Sequence, residues 1–142
     1  RVSRAMRNLN PGNIRLSATH FKGEIVPSRD SAFKQFESLE YGYRAMFVLL
    51  DTYARRYGLC SIRQMITRYA PPTENFTDGY VRFVARKSGI GADERVDSRN
   101  PRDMVPIVAA MAEIESGESP SIEDIHRGWN LFARDRDAVA VE

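Results

Sequence analysis

From Ser38 onward the hydrophobic positions follow a helical period. Tyr43, Met46, Phe47, Leu50, Tyr53, Ala54 and Tyr57 recur at spacings of three and four, which lines one face of a helix that Gly58 ends. Ser61 can cap a second helix whose inner face carries Ile62, Met65, Ile66 and Tyr69, and Pro71-Pro72 forbids its continuation. A third begins after Thr77 with Tyr80, Val81, Val84 and Ala85 inward and closes near Gly89. Residues 89–99 read as a polar loop. Asn100 followed by Pro101 opens a fourth helix with Met104, Ile107, Val108, Met111 and Ile114 inward and Gly117 as its stop. Ser121 and Asp124 resemble a capping box for a last helix around Ile122, Ile125, Trp129 and Phe132. The first 37 residues lack this period. There, Asn13–Ser17, Phe21–Val26 and Ala32–Phe36 read as short strands or extended pieces between turns, the first after the turn-forming Asn10-Pro11-Gly12-Asn13. The expectation is an α+β fold, a small β lobe followed by about five α-helices, in one domain over residues 1–142.

Composition narrows the function classes. A chain of 142 residues with 42% hydrophobic and 28% charged residues buries a core without metal or disulfide support. Cys60 is the single cysteine and the two histidines are 106 positions apart, so neither a disulfide nor a zinc spacing is present, and no cofactor is expected. No apolar run reaches the length of a membrane span, and nothing at the amino end reads as a signal peptide. The net charge is only +2, but 18 of the 21 basic residues are arginine, whose planar fork suits carboxylates and phosphates. A G+C-rich genome produces the same bias. Arg4, Arg7 and Arg15 near the amino end would favour an anionic wall. No block of like charge suggests a nucleic-acid partner, and nucleophile elbows and phosphate loops are missing. Carboxylates remain, the residue type that hydrolyses glycosidic bonds.

Two resemblances bear on them. The segment from Arg4 to Arg15, Arg-Ala-Met-Arg-Asn-Leu-Asn-Pro-Gly-Asn-Ile-Arg, resembles the opening of a family of small phage and prophage proteins. Their pattern is Arg-Gly-x-Arg-Asn-Asn-Asn-Pro-Gly-Asn-Ile-Arg, and they are often labelled virion structural proteins. Phe21-Lys-Gly-Glu24, Asp30 to Phe36, Gly42 to Met46 and Tyr69 to Thr77 continue the likeness, with Ala5, Leu9, Phe21 and Tyr69 departing from it. The blocks Asn10 to Ile14, Phe21-Lys-Gly23, Phe33 to Phe36 and Gly42 also stand in the order found in glucosaminidases of the lysozyme superfamily. In that superfamily a helix ending in Glu-Ser-Gly precedes them, whereas here Glu115-Ser116-Gly117 follows. This second resemblance implies a circularly permuted lysozyme-like domain, a rearrangement made easy by the proximity of chain termini.

The resemblances imply a peptidoglycan hydrolase that cuts a β-1,4 bond of the glycan strand, or a non-catalytic virion or wall-binding protein of the same fold. Either would reside in a phage virion, among its components, or at the bacterial periplasm and cell wall. Glu115 lies about 40° from Met111 on the helical wheel, at the edge of the apolar stripe, where a carboxyl group is suited to general-acid work. A surface Glu at a helix end is the competing reading. Glu24 and Asp30 are candidates for a second, water-assisting carboxylate, or else charges at strand edges. Asn10, Asn13, Arg15, Tyr69, Glu74 and Asn75 are candidate substrate contacts. Asn-Pro-Gly-Asn equally suits a tight turn, Glu74-Asn75 a capping turn, and the tyrosines core packing.

Overall fold

The computed structural model describes residues 2–70 and 76–141, with side chains as far as Arg136. In chain order the elements are α1 (Arg4–Arg7), β1 (Glu24–Ile25), β2 (Gln35–Phe36), α2 (Leu39–Tyr57), α3 (Ile62–Tyr69), α4 (Thr77–Ser88), α5 (Pro101–Ser116) and α6 (Ile122–Val141). A mostly helical body thus carries one small antiparallel sheet, consistent with α+β.

Local chemistry sets the helix ends. The side chains of Ser38, Ser61, Asn100 and Ser121 accept hydrogen bonds from the backbone N–H groups of Tyr41, Gln64, Arg102 and Asp124. Each such cap is worth about 1 kcal/mol. At the other ends Gly58, Gly89 and Gly117 take φ of 68°, 73° and 79°, the left-handed conformation that closes a helix.

Helix α2 is the central element, and α6 runs along it. Their backbones meet closely at Gly128, where a Cβ would fall 2.6 Å from the Tyr43 Cβ and 2.9 Å from the Arg44 N. Beside this crossing, Phe47, Trp129 and Phe132 form an aromatic cluster with centroids 5.0–6.2 Å apart. Helices α3, α4 and α5 pack in succession, and α5 meets both α2 and α6. The 89–100 loop is tied to α2 through buried Asp51, which accepts from Ser98 Oγ at 2.7 Å and from the Arg99 guanidinium at 3.3 Å.

The structure alters the sequence reading in two places. The three extended pieces are present, but regular pairing is confined to Glu24↔Phe36 and Ile25↔Gln35, with an isolated bridge at Arg15↔Phe33. Side chains take over the rest of the ladder. The Asn10 amide accepts from the Ile14 N–H and donates to the carbonyls of Ile14 and Lys34. The amino end also forms the short helix α1, capped by Ser3 and anchored by Ala5, 1% exposed. The second alteration concerns the helical stripes. Tyr57, Ile114 and Ile122, expected inward, are 52%, 37% and 53% exposed. All three stand near a helix end, where the stripe runs past its packing partners.

Candidate functional site

The β lobe, the outer face of α2, the end of α3 and the end of α5 enclose a cleft of about 710 Å³. Glu115 is its single acidic residue among the described residues that line it. Two elements fix the Glu115 side chain. Asn13 Nδ2 donates to the Glu115 backbone carbonyl at 2.9 Å and to Oε1 at 3.2 Å. Tyr80 OH, from α4, donates to Oε2 at 3.0 Å. Glu115 as a whole is half-buried.

Each of these contacts has a local cause. Gly117 stops α5 one turn after Glu113, whose carbonyl its N–H caps, so Glu115 stands among the last carbonyls, which lack partners within the helix. Asn13 supplies one. It holds φ of 49°, a conformation Asn tolerates better than most residues. Asn13 Oδ1 is itself buried with no hydrogen-bond partner. Behind it, Tyr69 OH donates to the Gly12 carbonyl at 2.5 Å and so pins the Asn-Pro-Gly-Asn turn to α3. Burial pushes the Tyr69 and Tyr80 phenols well above their ordinary range, and the Glu115 charge pushes them further. Both therefore stay protonated donors under all ordinary conditions.

The other sequence candidates lie elsewhere. Glu24 is absent from the cleft lining and 2% exposed at its side chain, paired with a Lys34 side chain that is wholly buried. Lys34 Nζ lies 3.0 and 3.2 Å from the two oxygens and also donates to the Thr19 carbonyl at 2.7 Å. Burial opposes the Glu24 charge, but the Phe21 N–H, the Lys34 ammonium and His20 outweigh it and hold the carboxyl group below its ordinary range. Asp30 is also outside the cleft. It receives a fork of two 2.7 Å bonds from Arg4, further bonds from Asn8 and from the N–H groups of Ala32 and Phe33, and is held far below the carboxylate range by these, Arg4 foremost. Arg4 is thereby neutralised rather than offered to an anionic wall. Asn10 is fully buried in its backbone bonds, while Asn13, Arg15 and Tyr69 line the cleft. Glu74 and Asn75 lie outside the described residues.

Sequence reasoning did not single out Lys34 or Tyr80 as polar partners, nor the cleft-lining pair Arg56 and Arg68. Arg68 stacks over the Tyr57 ring, its guanidinium carbon 4.1 Å from the centroid, and lies 5.3 Å from that of Tyr53. Among the described residues no three His, Cys, Asp or Glu side chains cluster as metal ligands. No helix among them is long and apolar enough to cross a membrane.

No protein-family model matches the chain. Over 137 residues it is 35% identical to "Protein P5" of Pseudoalteromonas phage PM2. The match covers 92% of this chain and 84% of the phage protein, so it takes in the β lobe and the helices that together make the cleft. A likeness of that extent places the chain in the family of this phage protein.

Proposed function

We propose that the protein acts on bacterial peptidoglycan from a phage virion or at the cell wall, cutting a β-1,4 bond of the glycan strand with Glu115 as its acid. The observation that carries this reading is a 710 Å³ cleft with one carboxyl group among its described lining residues, Asn13 and Tyr80 each bonded to one of that group's oxygens. A cleft of that size suits two or more sugar rings. In the proposed reaction Glu115 delivers its proton to the glycosidic oxygen as the C1–O bond breaks, and the leaving sugar departs as an alcohol. Glu115, now a carboxylate, takes a proton from the nucleophile that closes on C1.

With Glu24 committed to Lys34 and Asp30 to Arg4, no second carboxylate among the described lining residues is placed to activate water. The arrangement favours one group acting as acid and then as base. In that case the sugar's own hydroxyl can serve as nucleophile and leave an anhydro product, as in a lytic transglycosylase. A permuted lysozyme-like arrangement fits the meeting of Glu115 with Asn13, 102 residues apart in the chain.

Membership in a phage protein family favours a second reading, a virion protein that binds the wall without cutting it. A zymogram with peptidoglycan cast in the gel separates the two. Clearing by the protein and none by Glu115→Gln supports cleavage. Sedimentation with peptidoglycan without clearing overturns cleavage in favour of binding.

A further inference from the structure

The cleft is charged asymmetrically. Against Glu115 its described lining carries five arginines and lysines, contributed by the β lobe, α2 and α3. Arg44 is answered by Asp135 at 2.9 Å. Arg56 and Arg68, by contrast, have no carboxylate partner among the described residues, although both line the cleft together with Tyr53 and Tyr57, over whose rings Arg68 lies.

An arginine on a surface helix normally samples many rotamers, and ordering it on binding consumes much of what its hydrogen bonds yield. Arg68 is already ordered by stacking on Tyr57 and Tyr53. Its charge reaches the Tyr53 phenol, where it opposes the upward push of burial. Stacking occupies the flat faces of a guanidinium and leaves its in-plane N–H edge open, the edge that forks a carboxylate. Arg56 lies on α2 one residue before Tyr57 and three after Tyr53, and adds a second positive charge to the same cleft lining.

From this we infer that the α2–α3 wall is a carboxylate subsite, with Arg68 as the fork and Arg56 as supporting charge, which takes an acidic substituent of the glycan strand. The inference rests on a glycan occupying the cleft but not on its being cut. Two carboxylates fit the chemistry: the lactyl group on the sugar and those of an attached peptide.

Calorimetry on the full chain carrying Glu115→Gln, which prevents turnover, tests this. The probes are a peptidoglycan tetrasaccharide without stem peptides, the same tetrasaccharide with its lactyl carboxyls reduced to alcohols, and the tetrasaccharide bearing its peptides. Removing the bound carboxylate should weaken binding about ten-fold while Arg68 is present, and less than about two-fold once Arg68→Gln is added. Arg56→Gln, on an exposed helix position, should give a smaller loss that salt suppresses. Loss on reduction identifies the lactyl group, and tight binding only of the peptide-bearing probe identifies the peptide. Equal affinity for all three probes, loss unchanged by Arg68→Gln, or no binding of any probe overturns the subsite. Arg68-dependent binding without clearing by the unmutated protein leaves the subsite standing and removes the cleavage reading. Clearing with carboxylate-independent binding does the reverse.

Discussion

Replacing Lys34 by Met asks whether Glu24 serves the fold rather than the chemistry. The Lys34 side chain is fully buried and the Glu24 side chain 2% exposed, with Nζ 3.0 Å from the nearer oxygen. Methionine fills much of the same volume but leaves the carboxylate with only the Phe21 N–H and His20. Removing one partner of a buried pair typically costs about 3–5 kcal/mol, a large share of a domain's stability of about 5–15 kcal/mol. At roughly 3 °C per kcal/mol for a chain of this size, melting followed by circular dichroism should fall by about 9–15 °C. The double variant Lys34→Met/Glu24→Gln removes both charges while keeping an acceptor for Phe21, and should melt closer to the unmutated protein than Lys34→Met does. Acid supplies an independent check. Because the folded protein holds Glu24 below its ordinary value of 4.5, the stabilisation is complete above that value and fades as pH falls through the lower folded-state value. The double variant lacks this acid limb. A loss under about 1 kcal/mol in Lys34→Met, or a double variant equal to the sum of its single changes, refutes the buried pair as a support of the lobe.

Glu115→Gln should lower peptidoglycan clearing by about 10²–10⁴-fold in a turbidity assay while the protein stays folded. Glu113→Gln, whose carboxylate faces Lys87 at 3.7 Å on the α4 side, should be nearly neutral in the same assay. Tyr80→Phe deletes the bond to Glu115 Oε2 and should lower the rate with little change in melting temperature, since the ring keeps its place in the core. Gly128→Ala drives a methyl group into the α2 backbone and should cost about 1–3 kcal/mol in urea unfolding.

Much of the helical body was legible in the sequence because its determinants are local. Ser38, Ser61 and Asn100 lie within three residues of the N–H groups they cap, and Gly58, Gly89 and Gly117 end helices through their own backbone freedom. The α5 stripe likewise carried Glu115 to the margin of the core. The β lobe was less legible, since its pairing passes through side chains. Lys34 shares its strand face with Phe36, and both are fully buried, yet a lysine in that alternation reads as a break in it. Its burial becomes tolerable through an acid ten residues earlier in the chain and the Thr19 carbonyl.

Residue type and spacing by themselves determined the helices from α2 onward, the caps and glycine stops that bound them, and a short list of acids and amides. They did not rank that list. Glu24, Asp30 and Glu115 are alike as carboxylates, and what separates them is the partner the fold brings: Lys34, Arg4, or Asn13 and Tyr80 in an open cleft. The same holds for Asn10 and Asn13, three residues apart, one sealed in backbone bonds and the other reaching across to α5. Helix and cap formation depends on neighbours within a turn, which a sequence displays. A charge's environment depends on groups 26, 35 or 102 positions away, which only the folded chain assembles.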